Sequence, residues 1–111
     1  MSEAGAAETI AGLGEFGLIA RLTAGLASRP DVLVGVGDDC AVLDLGGEHV
    51  LLATCDALLD SEHFLRSVAT PEQIGRHAMA VNLSDIASMG GAPRYALVSL
   101  LLPTDNRKSV V

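Results

Sequence analysis

The stretch Val32-Leu33-Val34-Gly35-Val36-Gly37-Asp38-Asp39-Cys40-Ala41-Val42-Leu43 sets two adjacent carboxylates between two short apolar runs. Short apolar runs bounded by turn residues are typical of buried strands. Asp38 and Asp39 are therefore predicted to lie at a strand end, where an ionised pair is costly unless something positive compensates it. A simple aspartate-rich turn explains the same residues equally well, because glycine and aspartate are among the commonest turn residues.

The remaining residues predict one small α+β domain, which agrees with a length of 111 residues. Residues 1–13 are expected to form a flexible tail, and the domain is expected to occupy residues 14–111. Thr70, Pro71 and Gln73 form a helix-start signal with a capping box. Apolar periodicity and turn signals predict, in chain order, a helix from Gly14 to about Ser28, strands Val32–Val36, Cys40–Leu45 and His49–Cys55 with a Gly46-Gly47 hairpin turn, a helix from Pro71 to about Met89, and a strand Tyr95–Leu102.

The composition excludes several classes of function. The net charge of −7 makes a nucleic-acid backbone an unsuitable partner. The two cysteines, Cys40 and Cys55, do not suggest a disulfide framework, and this fits a reducing cytoplasmic setting. The sequence has no signal-peptide pattern and no run that approaches the roughly 20 apolar residues needed to cross a bilayer. No membrane partner is therefore expected.

The helix predicted from Pro71 carries an acid on its apolar face. At about 100° per residue, Ile74, Ala78, Val81 and Asp85 fall within a narrow wedge. The polar arc on another side of the helix holds Arg76, His77, Ser84 and Ser88. A carboxylate on the apolar face needs a hydrogen-bond partner, a cap or a metal ion. For Asp85 taken alone, a hydrogen bond to a neighbouring loop is the simpler interpretation.

Acids thus occur at three separate places, at element ends or on an inward face: Asp38 with Asp39, Asp56, and Asp85. Thr54 adds a hydroxyl group just before Asp56. Oxygen ligands of this kind suit Mg²⁺, which combines carboxylates with phosphate oxygens and water. The sequence therefore favours a phosphoryl-transfer site with several Mg²⁺ ions. It contains no Walker-type glycine-rich loop, so a nucleotide is expected to bind in another way.

Five segments in this order carry a more specific pattern: Gly14-Glu15-Phe16 with Leu18-Ile19-Ala20-Arg21, Gly35-Val36-Gly37-Asp38-Asp39-Cys40-Ala41, Thr54-Cys55-Asp56, His63-Phe64, and Ala80-Val81-Asn82-Leu83-Ser84-Asp85-Ile86-Ala87-Ser88-Met89-Gly90. Together they resemble the amino-terminal domain of the thiamine-monophosphate kinase family. The Gly-Asp-Asp turn and the Asn-Leu-Ser-Asp motif are the most specific parts. They are shared more loosely with aminoimidazole-ribonucleotide synthetase, selenophosphate synthetase and a hydrogenase maturation factor.

The resemblance implies roles for individual residues. Asp39, the triplet Thr54-Cys55-Asp56 and Asp85 are expected to hold Mg²⁺ ions on the phosphates of ATP, and His63 is expected to contact thiamine phosphate. Asp38 and Asn82 are expected to support the metal ligands from behind. The implied reaction moves the terminal phosphoryl group of ATP onto thiamine monophosphate and gives thiamine diphosphate. Such a transfer needs charge neutralisation and in-line positioning more than covalent chemistry.

The resemblance also implies an architecture. It predicts a four-stranded, mostly antiparallel sheet with flanking helices, and it predicts that the sheets of two subunits pair across a dimer axis into a closed barrel. Closure would bury the strands on both faces and remove exposed sheet edges. The family continues with a Gly-Gly-Asp loop and a second domain, so the 111 residues alone are expected to be catalytically incomplete. Two alternatives stay open: a non-catalytic dimerisation and nucleotide-binding module, and a synthetase of the same superfamily that acts on another phosphorylated substrate.

Overall fold

The computed structural model of the protein describes residues 9–104. The chain divides after Pro30 into two units. The first contains helix α1, and the second contains a three-stranded sheet and helix α2.

Helix α1 spans Ile10–Thr23. It begins earlier than predicted because Thr9 caps it: the Thr9 hydroxyl accepts a hydrogen bond from the Gly12 amide at 3.1 Å. Gly14, the predicted start, instead kinks the helix, since its φ of 68° is a left-handed conformation that glycine tolerates. The helix also ends before Ser28. Of the predicted tail, residues 10–13 are helical, and residues 1–8 lie outside the described residues.

The sheet consists of β1 (Val32–Val34), β2 (Ala41–Asp44) and β3 (Val50–Ala53) in the order β1-β2-β3, with antiparallel neighbours. Each predicted strand in this region is present, although each is shorter than predicted. Ala41 pairs with Ala53 at one end of the hairpin, and Asp44 pairs with Val50 at the other. The turn after β1 and the residues after β3 therefore meet at the same end of the sheet.

The prediction of a fourth strand at Tyr95–Leu102 is wrong for the described part of the chain. These residues have no regular secondary structure, and the sheet found among residues 9–104 has three strands. An apolar run becomes a strand only when a neighbouring backbone satisfies its N–H and C=O groups, and this run pairs with no strand. Its large apolar side chains are exposed, with Tyr95, Leu97 and Leu101 almost completely so.

Helix α2 spans Pro71–Ser88, as the capping residues predicted. The Thr70 hydroxyl accepts the Gln73 amide hydrogen at 3.2 Å, and the Gln73 side chain accepts the Thr70 amide hydrogen at 2.9 Å. The predicted inward face is confirmed, because the half-buried residues of the helix recur at helical spacing: Ile74, Ala78, Val81, Asn82, Asp85 and Ile86. Beyond the helix, Gly91 packs against Leu52 of β3 and Ile86 of α2.

The enclosed core is small. Among the described residues, only Cys40 and Val42 are buried apolar side chains, and Leu33, Val50 and Leu51 of the sheet are exposed. Within residues 9–104 of the single chain, the strands are therefore not buried on both faces, and their burial by closure of a dimer stays a prediction. Neither helix described between residues 9 and 104 is long and apolar enough to cross a bilayer.

Candidate functional site

The acidic turn after β1 is fixed by its own first carboxylate. Asp38 Oδ1 accepts a hydrogen bond from the Asp39 amide at 2.8 Å. Aspartate side chains often close turns by bonding to nearby backbone amides. The Asp38 carboxylate therefore holds the backbone of the turn, and the Asp39 side chain projects from a constrained position. A supporting role for Asp38 at a metal site stays a prediction.

Thr54, just beyond β3, joins the acidic turn to helix α2. Its hydroxyl lies 3.0 Å from the Asp39 carbonyl oxygen and 3.3 Å from Asp85 Oδ2. A threonine hydroxyl has one hydrogen to donate, so it bonds to one of these acceptors at a time. The contacts bring together three residues that the sequence separates widely. They also leave the lone pairs of the Thr54 oxygen available to a cation.

Asp85 lies beside Asp56, and this neighbour affects the ionisation of Asp85. A hydrogen bond with Asp56 raises the pKa of Asp85, and partial burial and the negative charges of Asp56 and Asp39 act in the same direction. The Thr54 hydroxyl opposes them, because a donated hydrogen bond favours the ionised form. Two carboxylates in contact cannot both ionise easily without a compensating cation.

Ser88, in the last turn of α2, completes the cluster. Its hydroxyl lies 2.8 Å from Asp39 Oδ2 and 2.7 Å from the Asp85 carbonyl oxygen. The sequence placed Ser88 on a polar arc and assigned it no role. A signal was present, because residues three apart on a helix are neighbours and Ser88 follows Asp85 by three positions. Its contact with Asp39, however, depends on how the helix packs.

The acidic cluster, defined as Asp39, Thr54, Asp56 and Asp85, has the donor chemistry that Mg²⁺ prefers, since all its ligand atoms are hard oxygens. Its carboxylates form no ion pair with a lysine or arginine in the part of the chain that the structure describes. Within residues 9–104, no three carboxylate, thiol or imidazole groups stand close enough together to enclose a metal ion as they are. The residues fit a cation that keeps water and phosphate oxygens in its shell, as Mg²⁺ commonly does.

Three further residues near the acidic cluster each have a different environment: Cys40, Cys55 and Asn82. Cys40 is buried, and its thiol donates to the Asp85 carbonyl oxygen at 3.3 Å. Burial raises the pKa of this thiol, and the nearby charges of Asp85 and Asp39 raise it further, so Cys40 is suited to packing rather than to nucleophilic chemistry. Cys55 is exposed. The Asn82 amide donates to the Ala78 carbonyl oxygen at 2.8 Å, within its own helix, rather than to the acidic cluster.

His63 belongs to a separate loop that folds on itself. Its Nδ1 accepts a hydrogen bond from the Leu59 amide at 2.9 Å, and its own amide donates to the Leu59 carbonyl oxygen at 2.9 Å. An Nδ1 that accepts leaves the hydrogen of the neutral ring on Nε2. Asp60 anchors the far side of the loop by accepting the Arg66 amide hydrogen at 2.9 Å. Across the described residues, no hydrogen bond joins His63 to the acidic cluster.

Comparisons with known proteins show which family the chain is similar to. The chain is 43% identical over 91 residues to the thiamine-monophosphate kinase of Escherichia coli (strain K12), a match that covers 81% of the chain and 28% of the relative. It is 40% identical over 90 residues to the thiamine-monophosphate kinase of Bacillus subtilis, with 81% and 28% covered, and 43% identical over 99 residues to that of Aquifex aeolicus, with 89% and 30% covered.

The chain therefore spans less than a third of the length of these relatives. No solved structure matches it significantly. Residues 37–111 match the N-terminal domain of the AIR synthase related protein family, and this range includes every member of the acidic cluster and Ser88. Because the match extends over more than half of the sequence, the chain belongs to the AIR synthase related protein family, as its N-terminal domain.

Proposed function

We propose that this chain is the Mg²⁺- and ATP-binding N-terminal part of a kinase that phosphorylates thiamine monophosphate to thiamine diphosphate. The names of the relatives supply the substrate class. The observation that carries the proposal is that Asp39 and Asp85, far apart in the sequence, both lie within hydrogen-bond distance of the Thr54 hydroxyl. A cluster of uncompensated carboxylates is an unfavourable arrangement unless it binds a cation.

In this proposal the carboxylates of Asp39, Asp56 and Asp85 hold the metal, together with the Thr54 hydroxyl and the backbone carbonyl of Cys55. Bound Mg²⁺ supplies neutralisation of the phosphate charge that develops during phosphoryl transfer. The residues of the chain contribute orientation. Asp38 fixes the turn that carries Asp39, and Thr54 fixes the distance between that turn and helix α2.

We assign the substrate phosphate to His63. With Nδ1 engaged by the Leu59 amide, the ring presents Nε2–H as a donor, which is suited to a phosphate oxygen. The loop that carries His63 is a folded unit closed by its own backbone bonds, including Ser61 N–H to the Phe64 carbonyl oxygen at 2.7 Å. The donor is thus held in place before the substrate arrives, which reduces the entropy cost of binding.

We expect the 111 residues to bind nucleotide without completing the transfer, because the chain spans only 28% of the relative from E. coli. We also propose that two copies associate, since the apolar run Tyr95–Leu102 is exposed and, among residues 9–104, no further strand pairs with either edge of the sheet. The cytoplasm is the compartment that we assign, because it supplies ATP and Mg²⁺ and keeps the free Cys40 and Cys55 reduced.

Thermal unfolding with and without Mg²⁺–ATP tests this function. A ligand that binds only the folded state raises the melting temperature by mass action, so the wild-type chain should show an upward shift and Asp85→Asn should show none. Glu48→Gln is the matched control: it removes one negative charge near the hairpin between β2 and β3, at the opposite end of these strands, and should keep the shift. An unshifted wild-type chain, or an undiminished shift in Asp85→Asn, would contradict the proposal.

A further inference from the structure

Asp39 is held by hydrogen bonds at three of its groups. Its amide donates to Asp38 Oδ1 at 2.8 Å, its carbonyl oxygen lies 3.0 Å from the Thr54 hydroxyl, and its Oδ2 lies 2.8 Å from the Ser88 hydroxyl. The first two contacts fix the backbone, and only the third fixes the carboxylate. Within the described chain, Oδ1 of Asp39 has no hydrogen-bond partner. The arrangement leaves one oxygen of this carboxylate free in a defined direction.

The Ser88 hydroxyl has two acceptors within reach and one hydrogen. The Asp85 carbonyl oxygen, at 2.7 Å, is the acceptor that serine commonly finds one turn back in its own helix. Asp39 Oδ2, at 2.8 Å, is equally close but carries charge, and hydrogen bonds to charged acceptors are roughly twice as strong as neutral ones. When Asp39 is ionised, the hydrogen is therefore directed to the carboxylate.

We propose that Ser88 is a positioning residue for the metal site: it orients the Asp39 carboxylate so that Oδ1 faces the cation shared with Asp85. This inference rests on the proposed function. The Ser88 hydroxyl contacts the Asp39 carboxylate and the Asp85 backbone carbonyl, so it links the Asp39 carboxylate to the helix turn that carries Asp85. Outer hydrogen bonds of this kind typically change metal affinity by 10–100-fold.

A comparison of Mg²⁺ binding with Ca²⁺ binding distinguishes a positioning role of Ser88 from a purely structural role. Mg²⁺ demands near-ideal octahedral geometry, whereas Ca²⁺ accepts variable numbers and directions of oxygen ligands. If Ser88 sets the direction of one ligand oxygen, its removal weakens Mg²⁺ binding more than Ca²⁺ binding. If Ser88 only stabilises the end of helix α2, its removal weakens both equally or neither.

Isothermal titration calorimetry of the 111-residue chain with MgCl₂ and with CaCl₂, each in the presence of ATP, provides the test. Ser88→Ala should weaken Mg²⁺ binding by roughly tenfold and Ca²⁺ binding by clearly less, and Ser88→Thr, which retains the hydroxyl, should restore it. The matched control is Ser84→Ala, one turn earlier on the exposed arc of the same helix, which should bind both metals as the wild-type chain does.

The inference is overturned if Ser88→Ala binds Mg²⁺ as the wild-type chain does, if it weakens both metals to the same extent, or if Ser84→Ala has the same effect. These outcomes leave the proposed function intact, because the wild-type chain still binds. An absence of Mg²⁺ binding by the wild-type chain would overturn the proposed function and the role of Ser88 with it. The two failures are therefore distinguished by the wild-type titration.

Discussion

Asp85 is the residue at which stability and the proposed function oppose each other. It sits half-buried on the inward face of α2 and shares a hydrogen bond with Asp56, which raises its pKa above the ordinary value of 3.8. In the absence of a divalent cation, ionisation of Asp85 is therefore less favourable in the folded chain than in the unfolded chain. A residue that destabilises the empty fold and lies among further acids is typical of a ligand site.

This conflict predicts a pH dependence in the metal-free chain. Because the folded pKa of Asp85 is raised, its stabilising contribution is fully present below pH 3.8 and is lost as the pH rises through the folded pKa. Asp85→Asn has no such titration. The free energy of unfolding, measured by urea titration with a chelator present, should be higher for Asp85→Asn than for the wild-type chain at neutral pH, and the two should converge in acid. A wild-type chain that is the more stable of the two at neutral pH would exclude this account of Asp85.

For individual residues, the acidic residues of the site could be predicted from the sequence, but the hydrogen bonds that other residues form with them could not. Asp85 was recognisable because apolar periodicity puts it on the buried face, and Asp39 and Asp56 because each follows a strand. Ser88 of helix α2 contacts Asp39 in the turn after β1. Thr54, just beyond β3, contacts Asp85 of helix α2. Spacing within one element carries no information about such contacts, because they depend on how the elements pack.

Among the elements, the end of α2 determines where the site lies relative to the sheet. Gly90 has φ of 72° and donates its amide hydrogen to the Ala87 carbonyl oxygen at 3.0 Å, which ends the helix. Gly91 then passes against Leu52 of β3 and Ile86 of α2, and a Cβ atom at this position would force the Leu52 side chain to shift. This close approach lets the last turn of the helix, with Asp85 and Ser88, come within hydrogen-bond distance of Thr54 and Asp39.

A pair of glycine substitutions tests this packing. Gly91→Ala should lower the free energy of unfolding by about 1 to 3 kcal/mol, because the added methyl group would collide with Leu52 and Ile86. Gly75→Ala, inside helix α2 and facing open space, should raise it by about 0.5 to 1 kcal/mol, since alanine favours the helical backbone. Urea unfolding monitored by circular dichroism gives both values. Equal effects of the two substitutions would mean that Gly91 does not control the helix–sheet contact.

Sequence patterns that span a few residues predict most of the helices and strands correctly, but they also predict one strand that is not present among the described residues. The capping box at Thr70 and the apolar wedge of α2 act within a few residues, and the hairpin of β2 and β3 joins neighbours in sequence, so each is visible in the sequence. The predicted start of α1 at Gly14 is wrong because Thr9 caps the helix and it begins at Ile10. Tyr95–Leu102 has the composition of a strand, but pairing requires a partner backbone that composition cannot supply.

At the level of the whole molecule, the main feature is apolar surface that is exposed to solvent. The segment Tyr95–Leu102 exposes most of its large side chains, including Tyr95, Leu97 and Leu101, while only Cys40 and Val42 are buried apolar residues in the described chain. Contiguous exposed apolar surface in a folded chain usually marks an interface. A strand-like sequence that pairs with no strand among the described residues is suited to pairing with another chain, which agrees with the proposed association of two copies.

Self-association is therefore expected to depend on this segment. Size-exclusion chromatography with light scattering should find the wild-type chain as a dimer, and Leu97→Asp should shift it toward the monomer because a charge cannot be buried there without a partner. Ser67→Asp, which adds the same charge in an exposed loop, should leave the dimer unchanged. A wild-type monomer, or equal effects of the two substitutions, would refute an interface at Tyr95–Leu102.

The most direct test of the central claim locates the metal itself. Mn²⁺ can replace Mg²⁺ at oxygen-ligand sites, and its unpaired electrons broaden the NMR signals of nearby amides. Titration of the isotope-labelled chain with Mn²⁺ and ATP should first broaden the amide signals of Asp39, Asp56 and Asp85 together, and the diamagnetic Mg²⁺ complex should leave them sharp. Early broadening confined to other acids, such as Asp60 and Glu72, with the signals of residues 39, 56 and 85 unaffected, would contradict the account.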